Sequence, residues 1–577
     1  MQGGRQPMLL TDLPIECWEK ILPAERSMMM SMASKAVKAL MLRGRPCIDI
    51  RLSFNGRLDI GREGDAKRMA ILRRLGAMAD EYRIVTLDLI HCGVKDDDFA
   101  QLAVVLAKSR SLQCLELAYN DIGFGVCSLP YIAGLASVTT LNLARCNNVM
   151  FWTLSLADIL RGFPVLGQLS LEGNRMGSVT MTVETPPLSP MLKFLCLKEN
   201  QLKFHSLLCV KEVLRQCPGL EHLDMSCNEF RAAEMDVLVG MFEHCPRLSY
   251  LNFDANDMKH DEVDVGLCLA RALSPLQALT EVNLGFNILG GLQHLADVFE
   301  HWKGLEYLNI SYASIGTGGA QTLAGLLQHF EQLKALNVGG NAIGWRGTQA
   351  IASSIGLCTR LTGLNMSNNN IGVIGASSLA DVLGSCPVKY LYLSNCHIGA
   401  RGCEALAMVA FERLDDLNLM DNDISVRGVQ ALARAVGGWP ALKSLSLGGN
   451  YIGVRGMNAV TDVLEDSTGL TYLDIGRNNV RDKGVETLTL GLRRCPTLET
   501  LILSHNHITD AGARSLAGVL PQCTALKKLS LSHNEEIGPD GESVLRKVPA
   551  CSPLTIELFQ RGGRKAGGWA VKWCASC

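Results

Sequence analysis

The sequence predicts an α/β solenoid: a curved horseshoe of strand–turn–helix units with a parallel sheet on the concave face and helices on the convex face. Three observations predict it. A pattern, Leu-x-x-Leu-x-Leu-x-x-Asn, recurs in 17 copies that begin at residues 84, 112, 138, 166, 192, 220, 248, 279, 305, 333, 361, 388, 414, 442, 470, 498 and 526. The spacing runs from 26 to 31 residues and is most often 28, a period at which each unit buries its apolar face against its neighbours. Within a unit the apolar period changes from two to three or four, so a strand gives way to a helix.

The strand comes first. Leu112, Leu115, Leu117 and Asn120 make one copy; Leu333, Leu336, Val338 and Asn341 make another; Leu442, Leu445, Leu447 and Asn450 make a third. Alternation places the leucines on one face and the residues between them on the other. The Asn closes the strand, and its amide is expected to satisfy backbone groups in the turn that follows. Glycine then follows an apolar residue, as in Asp121-Ile122-Gly123 and Ala342-Ile343-Gly344, where backbone angles closed to other residues are wanted. The helix is next; Gly319 to Phe330 shows apolar residues at three- and four-residue steps. Parallel strands stack at about 4.8 Å and helices at about 10 Å, so the stack must curve with its strands inside. One unit departs: residues 178–190 hold Pro186, Pro187 and Pro190 with several β-branched residues and predict a loop in place of a helix. Cys47–Asn55 reads as a degenerate first strand and Leu554–Phe559 as a terminal cap strand.

Over residues 84–559 these repeats resemble the leucine-rich repeat family, in particular its ribonuclease-inhibitor-like subfamily of about 28 residues per unit, which implies the horseshoe just described. Cys92, Cys146 and Cys396 replace the Asn, an exchange that the family also shows. The domain organisation is then an N-terminal segment 1–45, a solenoid 46–559 and a flexible basic tail 560–577. The N-terminal string Leu10-Thr-Asp-Leu-Pro-Ile-Glu-Cys-Trp-Glu-Lys-Ile-Leu22 predicts a helix, and a second helix fits Ser27–Leu42. The string resembles an F-box, the module that binds the SKP-type adaptor of cullin ubiquitin ligases; the resemblance makes Leu13, Pro14, Ile21 and Leu22 the adaptor-binding residues. The segment between the two helices is a few residues shorter than in that family, and a late tryptophan is missing. A helical cap over the first repeat is the other reading, and both stay open. Cys574 and Cys577 close the tail with the outline of a prenylation box that ends on an unfavourable residue.

Composition narrows the function classes. A net charge of −2 and a pI of about 6.6 give no push toward nucleic acid or an anionic membrane. No apolar run reaches the roughly 18 residues of a membrane span, and the N-terminus shows no secretory pattern, so a cytoplasmic or nuclear location is expected. The 21 cysteines do not read as a disulfide framework: Cys217, Cys245, Cys386 and Cys495 each precede a proline just before a repeat, and Cys358 and Cys523 share that repeat position. Thiols fixed to a repeat position pack as small hydrophobes and are expected to be reduced. There is no Gly-rich phosphate loop ending in Lys-Ser or Lys-Thr, no His-Glu-x-x-His and no nucleophile elbow, so no catalytic residue, metal or cofactor is expected. His505 and His533 fall at equivalent positions of adjacent repeats and should lie side by side.

The concave face points to binding. The residue between the strand leucines is Asn at 142, 252, 283, 309, 337, 365 and 418, giving an Asn-rich stripe with little charge. Aromatic residues flank it without being needed for packing, which is how interface anchors occur. Tyr250, Asn283, Phe286, Tyr307, Asn309, Tyr312 and Tyr390 are the partner-binding candidates. The leading reading is a non-enzymatic scaffold holding a protein partner in the groove, with the F-box extending it to a substrate receptor of an SCF-type ubiquitin ligase. The alternative is a GTPase-activating protein: Ran GTPase activators also look like this repeat subfamily, and Arg145 and Arg175, in the turns after the third and fourth copies of the strand, would be the charged groups to test.

Overall fold

The structure is a computed structural model and describes residues 47–51, 83–106, 111–122, 135–146, 156–178, 190–230, 232–256, 258, 264–290, 292–548, 554–558 and 571–572. The chain forms two units, Met1–Asn287 and Ile288–Cys577. Every copy of the Leu-x-Leu pattern becomes one strand. In the first unit these are β2 Arg83–Asp88, β3 Cys114–Glu116, β4 Thr140–Asn142, β5 Gln168–Ser170, β6 Phe194–Cys196, β7 His222–Asp224, β8 Tyr250–Asn252 and β9 Glu281–Asn283, preceded by β1 Cys47–Arg51. In the second they are β10 Tyr307–Asn309, β11 Ala335–Asn337, β12 Gly363–Asn365, β13 Tyr390–Tyr392, β14 Asp416–Asn418, β15 Ser444–Ser446, β16 Tyr472–Asp474, β17 Thr500–Ile502 and β18 Lys528–Ser530, followed by β19 Thr555–Glu557 and β20 Val571–Lys572.

Within each unit consecutive strands from β1 to β9 and from β10 to β19 pair in parallel. The register follows the leucines, with Leu195 opposite Leu223 and Leu223 opposite Leu251, because a one-residue slip would turn the whole apolar row to solvent. These residues are at most 2 % exposed, and the apolar residues that open each pattern and close its Leu-x-Leu at most 3 %. β20, inside the segment read as a flexible tail, pairs antiparallel with β19. The helical segment 10–45, with Leu13, Pro14, Ile21 and Leu22, and the proline-rich stretch 179–189 lie outside the described residues.

The second unit has the more regular helices. The one expected from Gly319 starts earlier and runs Gly316–Leu326. The next, Gly344–Ile355, buries Gly347, Ile351 and Ile355 on one face. Gly347 is a contact point: a Cβ there would sit 2.8 Å from the Ala320 methyl of the preceding helix. Glycine at the same place in the following helices, Gly375, Gly402, Gly428, Gly456 and Gly484, lets each helix approach the one before it.

A buried polar ladder ties repeat to repeat. Asn369 is fully buried; its Oδ1 accepts from the backbone N–H of Asn341 (2.9 Å) and Ile343 (3.3 Å), and its Nδ2 donates to the carbonyls of Val338, Met366 and Ser367. The amide therefore serves the preceding repeat as well as its own turn, more than the strand-closing role expected from sequence. Asn228, Asn256, Asn450, Asn478 and Asn506 do the same. Where cysteine replaces Asn, the thiol takes over one donation: Cys146 Sγ to Leu117 O at 3.1 Å and Cys396 Sγ to Met366 O at 3.2 Å. All cysteines among the described residues are free, and burial pushes the Cys217 and Cys245 thiols up to about 12.

Candidate interaction surface

The four pattern residues are buried in every copy; the five between them stand toward the groove or the turn that leaves the strand, most of them partly exposed. In the copy at 248, Leu248, Leu251, Phe253 and Asn256 are buried while Ser249, Tyr250, Asn252, Asp254 and Ala255 are partly exposed. The pattern thus dictates which side chains are offered to a partner.

In the first unit, the position before the central leucine carries Phe194, His222 and Tyr250 on β6, β7 and β8. Their rings stack into a ladder, with centroids 4.2 Å apart for Phe194 and His222 and 3.7 Å for His222 and Tyr250. Burial holds the His222 pKa below its ordinary value against the opposing pull of Asp224. Burial, then Asp224 and Glu281, raises that of Tyr250. The Asn283 Oδ1 accepts from the N–H of Gly285 at 3.1 Å, so that acceptor is engaged in its own turn. Phe286 is half exposed, but it stands in the turn rather than on the strand, at φ 53°.

In the second unit, Tyr307 on β10 and Tyr390 on β13 are 41 % and 43 % exposed. Between them β11 and β12 offer Ala335 and Gly363 at the same position, so the two tyrosines bracket a low floor. Asn309 spends its Oδ1 on the Ser311 N–H at 3.0 Å. Tyr392 donates to Asp416 Oδ2 at 2.9 Å. Tyr312 is in the turn, at φ 52°, with its hydroxyl accepting from Asn368 Nδ2 at 3.0 Å. The seven candidates therefore fall on both units, in strand and turn positions.

The turn position is a second row that sequence reasoning missed. The residue before the ladder Asn or its substitute is left-handed in all 17 copies, whether His91, Tyr119, Arg145, Phe286, Asn395, Arg477 or His533. Three members are glycine, and each is spanned by its neighbours: Arg145 reaches Glu199 past Gly173, Tyr312 reaches Asn368 past Gly340, and Asp421 pairs with Arg477 at 3.2 Å past Gly449. A Cβ on Gly340 would lie 2.5 Å from the Tyr312 ring. At the end of the row His505 and His533 stack at 4.2 Å, side by side as their spacing predicts. Among the described residues no group of three or more His, Cys, Asp or Glu could hold a metal ion, and no helix is long and apolar enough to cross a membrane.

The groove charge differs between the units. The offered positions of the first carry eight acids (Asp88, Glu116, Glu172, Glu199, Glu221, Asp224, Asp254, Glu281) and three bases (Arg145, Lys193, Lys198), a balance of 3 − 8 = −5. The same positions from β10 to β18 carry six acids (Glu306, Asp415, Asp416, Asp421, Asp474, Glu499) and six bases (Lys334, Lys389, Lys443, Arg477, Lys527, Lys528), a balance of zero. Three of the first unit's acids, Asp88, Glu116 and Asp224, stand in the central column with no base beside them, so the stripe of little charge read along the whole chain does not hold for the first unit.

Arg145 is held by Glu172 at 3.1 Å and by Glu199, lies over the Tyr119 ring, and has its pKa raised, first by the Glu172 bond. Arg175 is exposed, with Arg145, His91 and Tyr119, on an open cleft of about 560 Å³.

The leucine rich repeat family model matches residues 108–123, 358–380, 384–407, 414–433, 467–488, 494–517 and 522–544. No curated protein matches the sequence. Among solved structures, a crystal structure of a TLR13–ssRNA13 complex is similar over 81 % of this chain and 66 % of that chain, at 19 % identity and a TM-score of 0.44; this chain thus spans just under two thirds of that one. The seven matched segments are leucine-rich repeats, and the same pattern and strand–helix unit recur along the described residues from β2 to β18.

Proposed function

We propose that this chain is a non-enzymatic scaffold that holds a protein partner on its strand face. The observation that carries the reading is the exposure of Tyr307 and Tyr390 and the partial exposure of Tyr250, on strands whose fold does not require an apolar residue there. Such area in water is worth about 25 cal/mol per Å² to a partner that covers it, before the costs of association. Free, buried cysteines suit a reducing compartment, and the cytoplasm or nucleus is part of the proposal.

The test uses the intact chain as bait in quantitative affinity purification, followed by affinity measurement with the partner recovered. Tyr250→Ala with Tyr307→Ala is expected to weaken that partner tenfold or more, about 1.4 kcal/mol per tenfold, with little change in melting temperature. Unchanged affinity would move the site off these strands, and a large fall in melting temperature would make the tyrosines structural.

The F-box resemblance of residues 10–45 extends the proposal to a substrate receptor of an SCF-type ubiquitin ligase. Leu13→Ala with Pro14→Ala should then abolish co-purification of a SKP-type adaptor; a chain that never retains one removes the extension and leaves the scaffold. A GTPase-activating role would fall to Arg175, since Arg145 is already engaged by two carboxylates.

A further inference from the structure

The balance of −5 on the groove of the first unit is not spread evenly. Its three bases are placed on three of the acids: Arg145 on Glu172 and Glu199, Lys193 on Glu221 at 2.9 Å, Lys198 on Glu172 at 3.9 Å. Of the five other acids, Asp224, Asp254 and Glu281 fall together on or just after β7, β8 and β9, and no ion pair to any of these three is seen among the described residues. They surround Tyr250, the last ring of the stacked ladder: Glu281 is its register partner, and Asp224 ends the strand before it. Asp254 Oδ1 is the one buried side-chain polar atom among the described residues without a hydrogen-bond donor. Such an atom calls for an explanation, because an unmet acceptor out of water is costly. Burial and the neighbouring Asp224 both raise the Asp254 pKa, while Lys198 and a bond from Asn283 act the other way without cancelling them. A sheet face with three carboxylates and an aromatic ladder lacks one kind of group, a cation on an apolar stem.

We propose that the strand face of the first unit receives a lysine- or arginine-bearing extended segment of a protein partner, with a cationic head between Asp224, Asp254 and Glu281 and its methylene stem along the edges of the Phe194–His222–Tyr250 ladder. The head meets carboxylate charge that no ion pair within the described residues offsets, and the stem covers the partly exposed rings. This rests on the scaffold reading and names the partner's chemistry. A phosphate-rich ligand is repelled by the same charge.

The experiment uses the full chain and three fluorescein-labelled probes: a 12-residue peptide alternating lysine with alanine, its glutamate counterpart, and a 12-mer of uridylate. Anisotropy should report binding of the lysine peptide alone, weakening as sodium chloride is raised from about 50 to 300 mM. Asp224→Asn, Asp254→Asn and Glu281→Gln together should reduce its affinity tenfold or more. The control, Glu465→Gln with Asp466→Asn and Glu486→Gln on helices of the second unit, removes the same charge and should change affinity less than twofold. Equal losses in both variants, or comparable binding of the glutamate or uridylate probe, would overturn the proposal. Thermal melts check that the first variant folds; if it does not, Asp254→Asn alone, which keeps the side-chain shape, must lower affinity at least threefold. A partner recovered by bait that needs Tyr250 but not these carboxylates removes this inference and keeps the scaffold. A partner indifferent to both removes both.

Discussion

At the scale of a residue, the ladder asparagines show why the repeat tolerates so little there. Asn369 makes five hydrogen bonds while fully buried, two of them received from backbone N–H groups of the preceding repeat. Alanine would leave the N–H groups of Asn341 and Ile343 out of water without their acceptor, at about 1–3 kcal/mol for each, while the carbonyls of Val338, Met366 and Ser367 keep donations from Asn341 Nδ2, Cys396 Sγ and the Gly340 N–H. Asn369→Ala should therefore lower stability in urea by roughly 3 kcal/mol or more, allowing for relaxation of the turn. Asn369→Cys should cost clearly less than alanine, because Cys146 and Cys396 show a thiol donating to the same carbonyl of the preceding repeat. Equal losses would mean that the thiol bond has no energetic weight. The existence of this column was legible from Asn recurring at one position. The partners of its amide were not, since they lie up to 31 residues away and depend on the pitch of the stack.

At the scale of an element, the helices of the last repeats are capped from outside. Asp482 Oδ1 accepts from the N–H groups of Thr509 (2.8 Å) and Gly512 (3.0 Å), at the start of the helix Asp510–Val519 in the next repeat. Asp510 repeats the move one unit on, accepting from Gly538 (2.7 Å) and Gly541 (2.9 Å) at the start of the helix Pro539–Arg546. A carboxylate at a helix N-terminus meets orphan donors and the positive end of the dipole. Asp510→Ala should cost about 1–2 kcal/mol and speed amide exchange over residues 538–546, with the helix 510–519 less affected. Asn at 510, which keeps an acceptor, should recover part of the loss. Exchange that rises only within 510–519 would show that Asp510 serves its own helix instead. Helix positions were readable from the apolar period, and Gly319–Phe330 was misplaced by three residues at its start because Gly316 carries the left-handed turn, at φ 59°. The capping across repeats has no local signature, since acceptor and donor are 27 to 31 residues apart.

At the scale of the whole molecule, the thiols behave as part of the core. Burial pushes Cys146, Cys217 and Cys245 up to about 12, and Cys196, Cys358 and Cys396 up to about 11. At pH 8 a thiol near 12 holds only about one part in ten thousand as the reactive thiolate, so mass spectrometry should find these six cysteines alkylated by iodoacetamide at least 100-fold more slowly in the native chain than in guanidinium. Fast native labelling of Cys217 or Cys245 would show that their repeats open. Much of this scale was legible: the phase of the leucines placed every strand from β2 to β18, and the fixed position of the cysteines marked them as packing residues. The charge of the first unit's groove was present in the sequence, partly in the central column as Asp88, Glu116 and Asp224, and was diluted by reading that column along the whole chain. Asp224 stands in that column, whereas Asp254 stands three residues after Leu251 and Glu281 one before Val282, the central apolar residues of their copies. The left-handed row was hidden for another reason: its occupants include Tyr119, Arg145, Ala255 and Phe286, none of which signals positive φ.

The side chains that reach past Gly173, Gly340 and Gly449 give the array a longer memory than one step. In a chain of units coupled only to their immediate neighbours, a disturbance decays by a similar factor at each link. A contact that skips a unit adds a parallel route. Loosening Tyr312 is then felt by the unit that holds Asn368 even while the unit between them stays folded. The placement of three glycines thus sets how far a local opening propagates within each unit.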